Sequence, residues 1–241
     1  MTGFDPGRVR VLAFDIFGTT VDWYTGVAGQ LGELFAEQRV EVDAGEFASA
    51  WRDRYVPSMQ RVQAGERTWA YLDTLHRESL DDLLGERGLA DRVDEAARSR
   101  AVRAWHRLPA WGDTVPGLSR LRERYVLAAL SNAGFAALTY LVKAAGLPFD
   151  CILSAELARA YKPDPRVYRT AAALLDVEPG QVLMVAAHAG DLAGARAAGL
   201  RTAFVERPAE KGPHRTADRP GDAGSDVVAT SFTHLADLLG C

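Results

Sequence analysis

Residues 9–20 read Val-Arg-Val-Leu-Ala-Phe-Asp-Ile-Phe-Gly-Thr-Thr, and this stretch decides the fold. The β-branched and apolar run over 9–14 predicts a short buried strand that ends at Asp15. Gly18-Thr19-Thr20 then breaks it. The same pattern, an apolar run closed by a polar residue, recurs in the second half of the chain. Residues 125–130 (YVLAAL) end at Ser131-Asn132, and residues 182–187 (VLMVAA) end at His188. Residues 149–153 and 202–205 are further short strands. Between them lie helical patterns at 118–124, 135–145, 165–175 and 192–198, the second stopped by Gly146 and the last by Gly199. Residues 227–228 and 232–239 read as an edge strand and a closing helix. Strand–helix alternation of this kind implies a parallel sheet with helices on both faces.

From about Trp23 to His106 the reading changes. Spaced apolar positions (Leu31, Leu34, Phe35; Phe47, Trp51, Tyr55; Leu75, Leu80, Leu83) sit among many charges, with no strand-like alternation. The expected organisation is a core of residues 1–21 and 107–241, with an all-helical insertion over 22–106. An insertion directly after the first strand would cover the carboxyl ends of the strands, where open α/β sheets bind ligands, and could act as a lid. Residues 207–225, rich in Pro, Gly and charge, read as a loop.

Composition narrows the classes. The 241 residues are 48% hydrophobic and 25% charged, with a net charge of −4, which is ordinary for a globular chain. No basic stripe suggests nucleic acid. No apolar run approaches ~20 residues, so no transmembrane helix is expected, and the N-terminal residues lack the features of a signal peptide. Cys151 and Cys241 form neither a metal spacing nor a disulfide framework. A cytoplasmic protein is the expectation. Most of the 28 basic residues are Arg; the lysines are Lys143, Lys162 and Lys211, so a Lys inside a motif stands out.

Asp15, Ser131 and the 187–191 loop each follow an apolar strand, and Lys162 precedes a helix in the same crevice. Alone, Asp15 reads as a turn-capping carboxylate. The four together resemble the ordered motifs of the haloacid dehalogenase (HAD) superfamily: Phe14-Asp15-Ile16-Phe17-Gly18-Thr19-Thr20, Leu130-Ser131-Asn132, Tyr161-Lys162-Pro163-Asp164-Pro165 and Val185-Ala186-Ala187-His188-Ala189-Gly190-Asp191. The resemblance spans nearly the whole chain. It implies a Rossmann-like parallel sheet with a helical cap, Asp15 as covalent nucleophile and Lys162 as its counter-ion.

Superfamily phosphatases usually carry a general acid two residues after the nucleophile; here that position is Phe17. Their fourth motif supplies a Mg²⁺ ligand whose place is taken by Ala187. A halide leaving group needs neither. Further details resemble the type II (L-2-haloacid) dehalogenases: the aromatic Phe17, the pair Trp51-Arg52, the run Lys162-Pro163-Asp164-Pro165-Arg166-Val167-Tyr168, and Gly194-Ala195-Arg196-Ala197-Ala198-Gly199. That resemblance implies hydrolysis of 2-haloalkanoic acids to 2-hydroxy acids, with no metal and no other cofactor. Arg52 and Asn132 would hold the halide. Ile16, Phe17, Thr19, Ser131 and Tyr168 would complete the substrate-binding positions.

The fourth motif departs from that family, whose usual Ser-Ser-Asn-x-x-Asp becomes Ala-Ala-His-Ala-Gly-Asp. The usual Trp before the Asp is Gly190. The loop resembles a subset of dehalogenase-like proteins with His here. His188 is the expected water-activating base, oriented by Asp191 or Asp22. The alternatives are a phosphatase, a hydrolase of another small molecule, or a member that only binds. The expected partner is a small 2-halocarboxylate, with a homodimer implied by the resemblance alone.

Overall fold

The computed structural model describes residues 4–241. The expected core segment begins at residue 1, so its first three residues lie outside the described ones. The strands are β1 (Val11–Phe14), β2 (Val126–Ser131), β3 (Cys151–Ser154), β4 (Val182–Ala186), β5 (Arg201–Val205) and β6 (Val227–Ala229). They form one sheet in the order β3-β2-β1-β4-β5-β6, and every pairing is parallel. Leu12 at the centre pairs with Leu127 on one side and Leu183 on the other. All residues of β1 and β4 are buried. Successive side chains point to opposite faces, so both faces of the sheet are covered, as parallel sheets require.

Six helices lie between β1 and β2, and the first five run in succession over the predicted insertion: α1 (Trp23–Glu37), α2 (Ala44–Asp53), α3 (Tyr55–Gln63), α4 (Leu72–Glu86) and α5 (Glu95–Ala104). Asp22, Asp43 and Asp94 cap α1, α2 and α5 by accepting from the backbone N–H three residues on, each such cap stabilising by ~1 kcal/mol. Trp23, Trp51, Trp105 and His76 pack together among these helices. At the base of the helical run, Val21 bridges to Ala110 in antiparallel fashion, so the chain enters and leaves side by side. The remaining helices are α6 (Thr114–Arg122), α7 (Phe135–Ala144), α8 (Pro165–Leu174), α9 (Ala189–Ala197), α10 (Pro220–Ala223) and α11 (Phe232–Leu239). Asp164 caps α8 and Pro165 opens it, where the missing N–H costs nothing. Among the described residues no helix is long and apolar enough to cross a membrane.

Two expectations need correction. The helix after β4 starts at Ala189, three residues earlier than its apolar pattern indicates, because Ala189-Gly190-Asp191 carries no apolar stripe. The 207–225 loop contains the short helix α10 and a buried part described below.

Candidate active site

The site lies where β1, β2 and β4 end. Asp15 follows β1 directly, and its N–H donates to Val185 O at 2.9 Å. Its two carboxylate oxygens have different partners. Oδ1 accepts from Lys162 Nζ at 2.8 Å. Oδ2 accepts from Thr19 Oγ1 at 2.8 Å and lies 3.1 Å from His188 Nδ1. Thr19 is itself fixed, since its Oγ1 accepts from Ala187 N–H at 2.9 Å.

Lys162 is buried between two carboxylates. Nζ also donates to Asp191 Oδ2 at 2.6 Å and Leu130 O at 2.9 Å. Tyr168 OH donates to Asp191 Oδ1 at 2.6 Å. On the other side of Asp15, His188 Nε2 lies 2.9 Å from Glu210 Oε1, which also accepts from Trp23 Nε1 at 3.1 Å. The result is a line of alternating charge through Asp191, Lys162, Asp15, His188 and Glu210. Burial makes each lone charge costly, and each is offset by its neighbours.

These contacts set the protonation states. Burial alone would raise the Asp15 carboxyl, but Lys162 and His188 outweigh it and hold it well below the usual range. Burial alone would lower the His188 imidazole; Glu210 and Asp15 outweigh it and push it up to about 10. Asp191 is raised, because burial outweighs Lys162. Lys162 is raised by Asp15 and Asp191 against the opposing effect of burial.

A cavity of about 610 Å³ opens over the line, with Asp15, Arg52, Asn132, Lys162, His188 and Glu210 in its wall, a size typical of small-molecule sites. Arg52 on α2 packs its guanidinium 4.0 Å from the Tyr55 ring centroid and 5.2 Å from that of Trp23. Its Nη1 is buried and has no hydrogen-bond partner among the described residues.

Asp15, Lys162, His188, Asp191, Arg52 and Asn132 are thus brought together at one cavity. Other expected substrate positions stand behind it. The Thr19 and Tyr168 hydroxyls are committed to Asp15 and Asp191. Ser131 Oγ accepts from Ala133 N–H at 3.2 Å and is buried. The side chains of Ile16 and Phe17 are buried in the core. Asn132 Oδ1 accepts from Lys162 N–H at 2.7 Å, which orients the lysine's backbone. The expected orienting partner of His188 is corrected: Asp191 binds Lys162 and Tyr168, and Asp22 caps α1. The partner is Glu210.

Sequence reasoning missed Glu210 and Trp23. Glu210 is only 1% exposed, and Gly18 admits it: at φ +91°, a Cβ on Gly18 would come within 2.3 Å of Glu210 Oε1. The glycine was legible as a break, but not as the seat of a carboxylate from a distant loop. Phe17 and Ala187 carry no carboxylate into the site. Among the described residues no group of three or more His, Cys, Asp or Glu is arranged to hold a metal ion.

Known proteins resemble the chain over most of its length. The model of the haloacid dehalogenase-like hydrolase family matches residues 9–199. The chain is 34% identical over 207 residues to (S)-2-haloacid dehalogenase 1 of Pseudomonas sp. (strain CBS-3), covering 84% of this chain and 86% of that protein. A solved defluorinating L-2-haloacid dehalogenase superposes with a TM-score of 0.92 at 44% identity, covering 97% of this chain and 96% of that one. Another L-2-haloacid dehalogenase gives 0.89 at 42% identity, covering 96% and 99%. With the motif residues at one site under helices inserted after the first strand, the chain belongs to the haloacid dehalogenase-like hydrolase family.

Proposed function

We propose that the chain hydrolyses short 2-haloalkanoic acids to 2-hydroxy acids through an aspartyl ester on Asp15, without a metal. One observation carries this: an ionised, buried carboxylate shares a cavity with Arg52, whose buried Nη1 has no hydrogen-bond partner among the described residues, while Phe17 and Ala187 supply neither a leaving-group acid nor a metal ligand. An unmet buried donor on a charged group is costly, and an anion offsets that cost. The relatives' names give the (S) enantiomer as the expected substrate.

An oxygen of Asp15 attacks the carbon bearing the halogen from the opposite side, forming the C–O bond as the C–halogen bond breaks. The configuration inverts, and the halide leaves with the bonding pair toward Arg52 and Asn132. Lys162 keeps the attacking carboxylate ionised. A water then adds to Cγ of the ester, and the 2-hydroxy acid departs with an oxygen that belonged to Asp15. The reading includes a cytoplasmic enzyme and a homodimer, for which the exposed Phe135 and Tyr140 on α7 offer apolar surface.

The test is halide release from racemic 2-chloropropionate and from bromoacetate with EDTA present, beside an aryl phosphate with Mg²⁺. Halide release indifferent to EDTA, consuming one enantiomer, is the expected result. Mg²⁺-dependent phosphate release with no halide would overturn the reading.

A further inference from the structure

The ester that Asp15 forms has one oxygen bound to the substrate carbon and one carbonyl oxygen. The site does not treat them alike. Oδ2 already accepts from Thr19 Oγ1 and faces His188 Nδ1, whereas Oδ1 faces Lys162 Nζ alone among the described side chains. Oδ1 therefore keeps a lone pair for the substrate, and alkylation there leaves Oδ2 as the carbonyl oxygen with both donors aimed at it.

His188 has a carboxylate oxygen at each ring nitrogen, Asp15 Oδ2 at 3.1 Å and Glu210 Oε1 at 2.9 Å. A neutral imidazole has one N–H and satisfies one of them; an imidazolium satisfies both. The second carboxylate is firmly placed. Glu210 is buried, its Oε1 is held by Trp23 Nε1 as well, and its backbone N–H is bonded to Arg207 O. Its Oε2 is buried with no partner among the described residues, which adds negative potential at the ring.

We propose that His188 acts as an imidazolium donor to the carbonyl oxygen of the aspartyl ester, in place of the expected water-activating base, with Glu210 as the positioning residue that holds its ring. This rests on the aspartyl-ester reading above. The step balances without a neutral histidine. Water oxygen bonds to Cγ, its proton goes to Asp191, and the carbonyl π pair moves to Oδ2, where Thr19 and His188 meet the developing charge. Collapse re-forms the carbonyl and breaks Cγ–Oδ1. The departing alkoxide takes a proton from Lys162 Nζ, which recovers one from Asp191 across their hydrogen bond; the second water proton, left on the re-formed Asp15 carboxyl, passes to solvent as Lys162 and His188 restore its ionised form. Burial, which raises the Asp191 carboxyl, makes it a stronger base than an exposed carboxylate.

The charged groups facing His188 are Asp15 at the end of β1 and Glu210 and Asp218 from the loop after β5; Asp191, on the helix that His188 opens, is bound to Lys162 and Tyr168. Lys162 stands beyond Asp15, Arg52 acts on Glu210, and Lys211 is paired with Asp218 at 2.8 Å. Once Asp15 is an ester its charge is gone, and Glu210 becomes the main counter-charge.

The experiment is a single turnover with 2-chloropropionate, following the mass of the Asp15 peptide to obtain the rate of ester decay from about pH 6 to about pH 10.5. A donor works only while protonated, so the rate should fall as pH rises through the titration of His188, by about 100-fold for loss of one such donor. In Glu210→Gln the fall should move toward neutral pH, so that the ratio of wild-type to variant rate widens from about pH 6 upward. A wild-type rate that climbs or stays flat to about pH 10.5 overturns the proposal, and this profile decides the matter even if the variant fails to fold. A decay rate that Glu210→Gln leaves unchanged at every pH overturns the part assigned to Glu210. If no ester forms at all, the aspartyl-ester reading fails first, and that outcome is distinct.

Discussion

Glu210 Oε1 lies 2.9 Å from His188 Nε2 although 22 positions of sequence separate them. That contact ties the loop after β5 to the loop after β4 and makes the imidazole part of a buried ion line. His188→Ala should leave Asp15 and Glu210 without the cation between them. Removing one partner of a buried pair costs about 3–5 kcal/mol. Urea unfolding at neutral pH should show that loss, and adding Glu210→Gln should restore part of it. Because folding raises His188 to about 10, its contribution is complete below about pH 6.5 and disappears as pH rises through about 10. The deficit of His188→Ala should shrink accordingly in alkali.

His76 has the opposite sign. Its ring is stacked 4.5 Å from Trp105, both nitrogens lack partners, and burial lowers it to about 3. The unfolded chain takes up a proton below about pH 6.5 while the folded one does not, so stability falls as pH drops from there toward 3. The loss is on the order of a few kcal/mol. His76→Phe should flatten that decline. Unfolding midpoints at about pH 7 and pH 4.5 check it, and equal acid sensitivity in variant and wild type would contradict it.

Asp15→Asn should abolish halide release by roughly 10⁴-fold or more, since the amide has no ionised oxygen to donate. The protein should stay folded. Circular dichroism beside the halide assay separates inactivity from unfolding.

Arg52→Lys tests the anion site. A lysine keeps the charge but loses the planar fork that lies against Tyr55 and Trp23. Halide release should fall roughly 10²-fold, the usual cost of one misplaced transition-state donor, and chloride inhibition should weaken in parallel. Unchanged kinetics would remove Arg52 from the leaving-group role.

The fold was legible because its strands are short apolar runs, each closed by a polar residue, as β1 is by Asp15 and β4 by Ala187-His188. The motif residues were legible for the same reason, since strand ends fix where Asp15, Asn132 and His188 project. Their partners were not. Thr19 and Tyr168 read as substrate contacts, but their hydroxyls are used on Asp15 and Asp191, which only the three-dimensional path reveals. Glu210 sits in a Pro- and Gly-rich loop with no periodicity, beyond the stretch that the family model matches. A lone glutamate there has no local signature. Its importance comes from burial and from its seat against Gly18.

The covalent account is tested most directly by one turnover in H₂¹⁸O with enzyme in excess over 2-chloropropionate, followed by mass analysis of product and protein. Attack of water at Cγ places the label in the peptide that carries Asp15 and leaves the first 2-hydroxy acid unlabelled. Label in the product acid, with the Asp15 peptide unchanged, would mean that water attacks the substrate carbon itself and that Asp15 is no nucleophile.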